Sequence, residues 1–223
     1  MAHHRATFAE INLKAFKNNL QNLKKITEPD TGIMAVIKAD AYGHGSLPCA
    51  KAAVDSGVDY IGVGIIEEGI ELRENGITEP ILILGSIFPD EAEDLVRHDL
   101  ATILCTNHLA KALAKEAEKQ KKTVSVHIKV DTGMNRLGVL PENLLSLIQT
   151  INKLPILKLE ALSTHFSSAD DEDTSITKQQ IELFQNTLTE LQEAGITIPP
   201  LTHLANTSAL LRFPESQSNM VRP

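Results

Sequence analysis

The chain has 223 residues, of which 42% are hydrophobic and 22% charged, a balance typical of one large globular domain rather than a disordered chain. Its formal net charge of −8 and its pI of about 5.5 argue against general binding to nucleic acid or to acidic membranes. Two cysteines, no apolar run of bilayer-spanning length and no signal-peptide core in the N-terminal MAHHRATFAE predict a cytoplasmic protein without a disulfide framework.

Short apolar segments alternate with amphipathic ones along the whole chain. The apolar segments are rich in β-branched residues and are bounded by Gly, Pro or polar residues, which is typical of strands. They span residues 32–40, 59–64, 80–85, 101–106, 123–131, 157–166 and 201–206, and NMVRP at 219–223 would open an eighth. Apolar residues at helical spacing predict helices over 67–75, 89–99 and 174–195, with Pro89 in a first turn and Gly195 as a stop signal.

The regular alternation of strand and helix predicts βαβ units and hence a parallel sheet. The strands are apolar almost throughout, as expected when helices cover both faces of a sheet. Eight strands favour a (β/α)₈ TIM-type barrel over an open doubly wound sheet. We expect residues 1–223 to form one barrel domain whose eighth strand is cut short where the chain ends.

Polar side chains collect where the predicted strands end. In a barrel the carboxyl ends of all strands lie at one face, and that face holds the chemistry. The sequence has no P-loop, dinucleotide fingerprint, H-E-x-x-H motif, paired-cysteine cluster or G-x-S-x-G elbow, so it gives no support for nucleotide, metal or serine-nucleophile chemistry. The polar residues at the strand ends are Lys38, Tyr42, Lys129, Arg136, His165, Asn206, Thr207, Ser208 and Arg222.

Lys38 stands inside the first apolar run, in the segment AVIKADAYGHG at 35–45. A lysine that is partly removed from water has a lowered pKa, and its neutral amine can form a Schiff base with a carbonyl compound. The residues alone leave a second interpretation open, in which Lys38 extends past the strand end or pairs with Asp40.

AVIKADAYGHG closely resembles the pyridoxal-phosphate lysine signature of bacterial alanine racemases. Further segments look like motifs of the same family, in family order and at family spacing, so the resemblance covers the chain nearly end to end. It implies a pyridoxal-phosphate-dependent, two-base racemase that interconverts L-alanine and D-alanine and supplies D-alanine for peptidoglycan. The further segments are HIKVDTGMNRLG (127–138), STHFSSADDED (163–173), HLANTSALLRFP (203–214) and MVRP (220–223).

The resemblance implies roles for the residues that would hold the cofactor's aldehyde and phosphate. Lys38 would hold pyridoxal phosphate as an imine and act as one of the two bases. Tyr42 would hydrogen-bond the phosphate, together with a helix start at Asn206, Thr207 and Ser208. The chain has A-N-T-S-A where the family commonly has A-N-S-A, which leaves open whether Thr207 or Ser208 contacts the phosphate.

The resemblance also implies roles around the cofactor ring. Arg136 would contact the phenolic oxygen and orient the substrate carboxylate, and Lys129 matches a lysine that some family members carbamylate and pair with that arginine. His165 would pack beside the pyridine ring and hydrogen-bond the second catalytic residue, and Leu84 would line the pocket. Arg222 would face the pyridine nitrogen, where a donor-only cation favours the unprotonated ring and limits transamination.

A two-base racemase needs an acid–base group on each face of its substrate. In the family the second group is a tyrosine from a C-terminal β-domain, supplied across a homodimer interface, whereas the tyrosines of this chain are Tyr42 and Tyr60. We therefore expect the full-length protein to be a homodimer and the 223-residue chain alone to be inactive or nearly so. The alternatives are a single-domain pyridoxal-phosphate homeostasis protein, a lysine-dependent aldolase and a non-catalytic barrel.

Overall fold

Eight parallel strands close into a barrel in the computed structural model, which describes residues 7–223. Each strand pairs with the next, and the last pairs with the first, so the barrel prediction is confirmed and the open sheet is wrong. Residues 1–6, which begin the MAHHRATFAE segment, lie outside the described residues. The strands are β1 (Gly32–Val36), β2 (Tyr60–Val63), β3 (Ile81–Ile83), β4 (Ala101–Leu104), β5 (Val124–Lys129), β6 (Leu157–Ser163), β7 (Leu201–Asn206) and β8 (Met220–Arg222).

Helices follow the strands and cover the outside of the barrel. The predicted helices at 67–75 and 174–195 are confirmed, and the one at 89–99 begins as a 3₁₀ turn at Pro89–Glu91 before it becomes α-helical. Gly195 follows its helix with φ +76°, as its role of stop signal requires. The helices are α1 (Leu13–Ile26), α2 (Lys38–Gly43), α3 (Ser46–Asp55), α4 (Ile66–Glu74), α5 (Ala92–Arg97), α6 (Asn107–Gln120), α7 (Pro141–Asn152), α8 (Ser175–Glu193) and α9 (Thr207–Arg212), with a second 3₁₀ turn at Pro214–Ser216.

The short strand β8 closes the barrel. Its Met220 and Val221 lie in register with Gly32 and Ile33 of β1, and its other edge pairs with β7, where Arg222 lies opposite Asn206. The three residues of β8 are therefore enough to complete the hydrogen-bonded pairing of strands around the barrel, although the sequence predicts that this strand is cut short.

The apolar residues form two separate clusters, because side chains alternate between the two faces of each strand. The larger cluster lies between the strands and the surrounding helices. The smaller one fills part of the barrel interior and includes Met34, Tyr60, Leu82 and Ile103. None of the helices within residues 7–223 is both long and apolar enough to cross a bilayer.

Six strands end before the predicted runs do, and the difference is largest for β1 and β6. The run at 32–40 stops at Val36, because the residues from Ala39 to Tyr42 have φ between +52° and +56° and turn the chain away from the sheet. The run at 157–166 stops at Ser163. Lys38 and His165 consequently stand just beyond strand ends, on the segments that form the carboxyl face of the barrel.

Gly85 provides a test of strand packing beside that face. A Cβ atom at Gly85 would lie 2.7 Å from the backbone oxygen of Gly64, which cannot move without disturbing β2. We expect Gly85→Ala to lower the free energy of unfolding by about 1–3 kcal/mol, measured by urea denaturation.

Gly69→Ala is the matched control. Its Cβ would meet only side-chain methyl groups of Ile83 and Leu100, at 3.1 Å, and alanine favours the helix α4 by about 1 kcal/mol over glycine. Equal stabilities of the two variants would contradict the importance of the Gly85–Gly64 contact.

Candidate active site

A left-handed turn positions Lys38 directly after β1. The residues from Ala39 to Tyr42 have left-handed dihedral angles, each at a cost of about 1–2 kcal/mol for a residue other than glycine. Hydrogen bonds hold the turn: Ala41 N–H donates to the oxygen of Ile37 at 2.9 Å, and Ser46 N–H donates to Asp40 Oδ1 at 2.6 Å. The turn is therefore a fixed support for the lysine rather than a loose loop.

Glu68, in the first turn of α4, ties the left-handed turn to the end of β2. Its Oε1 accepts from Ala39 N–H at 2.6 Å, and its Oε2 accepts from Gly64 N–H at 2.7 Å. A Cβ atom on Gly64 would lie 3.4 Å from the Cβ of Lys38, so the two chain segments approach closely at this point. The carboxylate thus fixes the backbone on both sides of the lysine.

A cavity of about 540 Å³ opens at the carboxyl ends of the strands. It brings together residues from both ends of the chain, including Lys38 and Arg222. Ser208 is not among the residues that line it, whereas its neighbour Thr207 is. The predicted residues that do line the cavity are Lys38, Tyr42, Leu84, Lys129, Arg136, His165, Asn206, Thr207 and Arg222.

Lys38 itself is half-buried, and its Nζ lies 6.0 Å from the centre of the Tyr42 ring. The carboxylate of Asp40 accepts from the backbone of Ser46, and within residues 7–223 no ion pair joins Asp40 to Lys38. The interpretation of Lys38 as one half of a local salt bridge is therefore wrong, and its amine faces the cavity.

Arg222 forms the buried floor of the cavity. Its Nη1 donates to the backbone oxygen of His203 at 2.7 Å, and its Nη2 donates to those of Thr164 and Leu204 at 2.8 and 3.1 Å. Burial lowers the pKa of Arg222 to about 10, so the guanidinium remains a cation at neutral pH. Its Nε–H has no partner within the described part of the chain, which leaves this donor for a group bound in the cavity.

His165 is neutral beside that cation. Burial lowers its pKa to about 3, and the charges of Arg222 and Lys129 act in the same direction. Arg222 Nη2 lies 3.4 Å from His165 Nδ1, and because arginine only donates, the proton of the neutral ring belongs on Nε2.

Lys129 is 7% exposed at the end of β5. Burial, together with the positive charges of Arg136 and Arg222, lowers its pKa to about 8. Arg136 is exposed, and the hydrogen bonds and ion pairs of residues 7–223 give it no partner. With Lys38, four basic residues thus line one cavity, an arrangement suited to binding anions.

Asn206 begins α9 at the edge of the same cavity. Its Oδ1 accepts from Ala209 N–H at 2.9 Å and so caps the helix, while Thr207 lies exposed beside it. The predicted helix start at the end of β7 is therefore observed.

Comparison with known proteins identifies the family. The family model described as "Alanine racemase, N-terminal domain" matches residues 11–223. The chain belongs to the alanine racemase family. An alanine racemase of Methanococcus maripaludis is 42% identical over 219 residues, which are 97% of this chain and 58% of that protein. The corresponding values for the alanine racemase of Halothermothrix orenii are 41%, 98% and 58%.

Solved structures of the alanine racemase family share the barrel. The Clostridium difficile 630 alanine racemase in complex with cycloserine has a TM-score of 0.94 and 38% identity, over 99% of this chain and 61% of that one. A histidine racemase from Leuconostoc mesenteroides subsp. sake has a TM-score of 0.88 and 29% identity, over 99% and 59%. The chain spans about three fifths of the length of these relatives.

Sequence reasoning assigned no role to two groups of residues around the racemase-family site. Glu68 was not singled out, although a glutamate in the first turn of a helix is a known signal of backbone capping. His203, Ser163 and Thr164 also line the cavity, on strands that the motifs had already placed there.

Glu68 is the residue to test for the support of Lys38. We expect Glu68→Ala to lower the free energy of unfolding by about 1–3 kcal/mol, since it leaves the amides of Ala39 and Gly64 without their acceptor. Glu67→Ala is the control, because Glu67 is an exposed neighbour on the same turn. Urea denaturation of both variants checks the prediction, and losses of equal size would contradict it.

Proposed function

We propose that the full natural protein interconverts L-alanine and D-alanine with pyridoxal phosphate as its cofactor. One observation supports this most directly: an amine, Lys38, and a buried donor-only cation, Arg222, face the same cavity. Relatives that are about 40% identical and named alanine racemases support the choice of reaction. The chain spans 58% of the length of those relatives, so we propose the activity for the full protein and not for the 223-residue chain alone.

The residues of the cavity fit pyridoxal phosphate. Lys38 offers the amine for its aldehyde, and the free Nε–H of Arg222 offers a donor for its ring nitrogen. Tyr42, Asn206 and Thr207 would hold the phosphate, and we assign this role to Thr207 rather than Ser208 because Ser208 does not line the cavity. When bound, the cofactor supplies an electron sink that acidifies the Cα proton of an amino acid.

Residues of the cavity perform the proton transfer and the binding of the substrate. The Nζ of Lys38 takes or returns the Cα proton on one face of the substrate, and Arg136 binds the substrate carboxylate through its guanidinium. Arg222 keeps its proton at neutral pH and would donate its Nε–H to the cofactor's ring nitrogen.

The other face of the substrate needs a second acid–base group. Within the described residues the hydroxyl of Tyr60 is committed to Glu160 at 2.7 Å, and Tyr42 lies 59% exposed beside Lys38. We propose that a tyrosine of a C-terminal β-domain, supplied by the other subunit of a homodimer, serves this face. We also propose a cytoplasmic enzyme that supplies D-alanine for peptidoglycan, as the family resemblance implies.

Lys129 supports a further part of the proposal, its carbamylation. With a pKa of about 8, roughly a tenth of the buried amine is neutral at pH 7. The neutral amine attacks CO₂, a C–N bond forms and a proton is released to solvent. The resulting carbamate would replace a buried cation by an anion beside Arg136 and Arg222.

We expect Lys38→Ala to abolish the visible absorption of the cofactor-loaded full-length protein and to lower racemase activity at least about a thousandfold. Lys51→Ala is the control, since Lys51 is exposed on the outer helix α3. Conversion of L-alanine and of L-histidine should be followed in parallel, because a histidine racemase shares this barrel. A colourless wild-type protein, or faster turnover of histidine, would contradict the proposal.

The pH dependence of carbamylation can be predicted from Lys129. Its pKa lies below the usual value for lysine, so the neutral amine is lost as the pH falls below about 8. Carbon-13 NMR of protein equilibrated with ¹³C-bicarbonate should show a carbamate signal that weakens below pH 8 and is absent in Lys129→Gln. A signal that persists in Lys129→Gln would assign the carbamate to another lysine.

A further inference from the structure

A column of polar side chains runs through the barrel interior from Arg222 towards the amino ends of the strands. Arg222 Nη1 lies 2.6 Å from His203 Nδ1, and His203 Nε2 lies 3.0 Å from His127 Nδ1. His127 Nε2 lies 3.8 Å from Glu160 Oε2, which accepts from the hydroxyl of Tyr60 at 2.7 Å. The proposed racemisation assigns no step to these last four residues.

Both histidines are fully enclosed, with 0% of His127 and 1% of His203 exposed. Buried ionisable groups contribute little to stability, because apolar side chains of similar volume usually pack as well. The remaining barrel interior contains such side chains, including Met34, Leu82 and Ile103. Stability alone therefore does not account for a polar column in this place.

Arg222 fixes the direction of every hydrogen bond in the column. A guanidinium only donates, so His203 Nδ1 must be an acceptor and the ring carries its proton on Nε2. That proton is donated to His127 Nδ1, so His127 also carries its proton on Nε2, facing Glu160. Burial lowers the pKa of both histidines, which agrees with two neutral rings.

Glu160 supplies the negative end of the column. Its pKa is held well below the usual value, first by His127 and then by the hydroxyl of Tyr60 and by Lys158. The 3.8 Å gap to His127 Nε2 exceeds a hydrogen bond, so the attraction there is between the carboxylate charge and the N–H dipole. Arg222 forms no ion pair with a carboxylate within residues 7–223, so Glu160 is the anion at the far end of the column, next to His127.

We propose that His203, His127 and Glu160 are positioning residues for Arg222. The column carries the electric field of the Glu160 carboxylate to the guanidinium and fixes which edge of Arg222 faces the cavity. It therefore sets the electrostatic potential at the atom that Arg222 Nε–H contacts. The identity of that atom, the cofactor ring nitrogen, rests on the proposed function. The donor-to-acceptor direction of the hydrogen bonds in the column does not rest on the proposed function, because it follows from residues of this chain alone.

Neutron diffraction from deuterated crystals of the full natural protein tests the positions of the protons in the column. We expect deuterium on Nε2 of His127 and His203, none on either Nδ1, and none on the carboxyl group of Glu160 at neutral pH. Deuterium on His203 Nδ1, or on both nitrogens of either ring, would overturn the inference. This result does not depend on whether the protein binds pyridoxal phosphate, so it remains valid if the proposed function fails.

The Glu160→Gln variant of the loaded, full-length protein tests transmission to the cofactor. Glutamine retains an acceptor for His127 but removes the negative charge. We expect the apparent pKa of the visible absorption band to fall by roughly half a pH unit, because a positive form near Arg222 loses a stabilising anion. We expect kcat to fall about tenfold with KM within about twofold, the size expected for one interaction with a charged group.

Glu190→Gln is the matched control. Glu190 is exposed on α8 and its carboxylate takes no part in the column, so the same loss of charge there should leave both readouts at wild-type values. If Glu160→Gln does not fold, Tyr60→Phe removes one donor to Oε2 and should shift the absorption titration in the opposite direction, because the carboxylate becomes less neutralised. Wild-type titration and kcat in the folded variant would overturn transmission, and an unloaded wild-type protein would instead contradict the proposed function.

Discussion

A buried guanidinium, which has no carboxylate partner among residues 7–223, dominates the interior of this barrel. Arg222 is stabilised by the backbone oxygens of Thr164, His203 and Leu204 and by an imidazole, so its position depends on the carboxyl ends of β6 and β7. It also belongs to β8, the three-residue strand that closes the barrel. Closure of the barrel and assembly of the cavity floor are therefore the same structural event, and a change that disturbs one disturbs the other.

The cation at the floor also governs the charge of the site. Arg222 lowers the pKa of Lys129 and of His165, while no Asp or Glu of the described residues lines the cavity. The chain as a whole is acidic, with a net charge of −8, so the cavity is a positive region on a negative protein. A phosphate, a substrate carboxylate and a carbamate on Lys129 would each relieve the repulsion among these cations. Anion binding and folding of the site should accordingly favour one another.

The sequence contained enough information to predict the barrel architecture and most of the residues that line the cavity. Alternating apolar and amphipathic segments predicted eight strands, and polar residues at their ends predicted the cavity, because a parallel barrel collects all carboxyl ends at one face. The left-handed turn escaped prediction, because its positive φ angles fall on Ala39, Asp40, Ala41 and Tyr42, none of them glycine. The bonds that offset this strain come partly from Glu68, 29 positions away from Ala39, and local sequence does not show such a partner.

The seam of the barrel explains why Lys38 and Arg222 line one cavity although the chain separates them by almost its whole length. β1 and β8 are hydrogen-bonded neighbours, with Gly32 opposite Met220. The lysine follows the first strand and the arginine ends the last, so a single ladder sets the spacing between them. Hydrogen bonds on the side away from the cavity support each residue. Glu68 anchors the turn that carries the lysine, and the histidine column contacts the arginine. Hydrogen bonds specify direction as well as distance, so they fix the backbone around Lys38 and the guanidinium of Arg222 in a way that apolar packing alone would not.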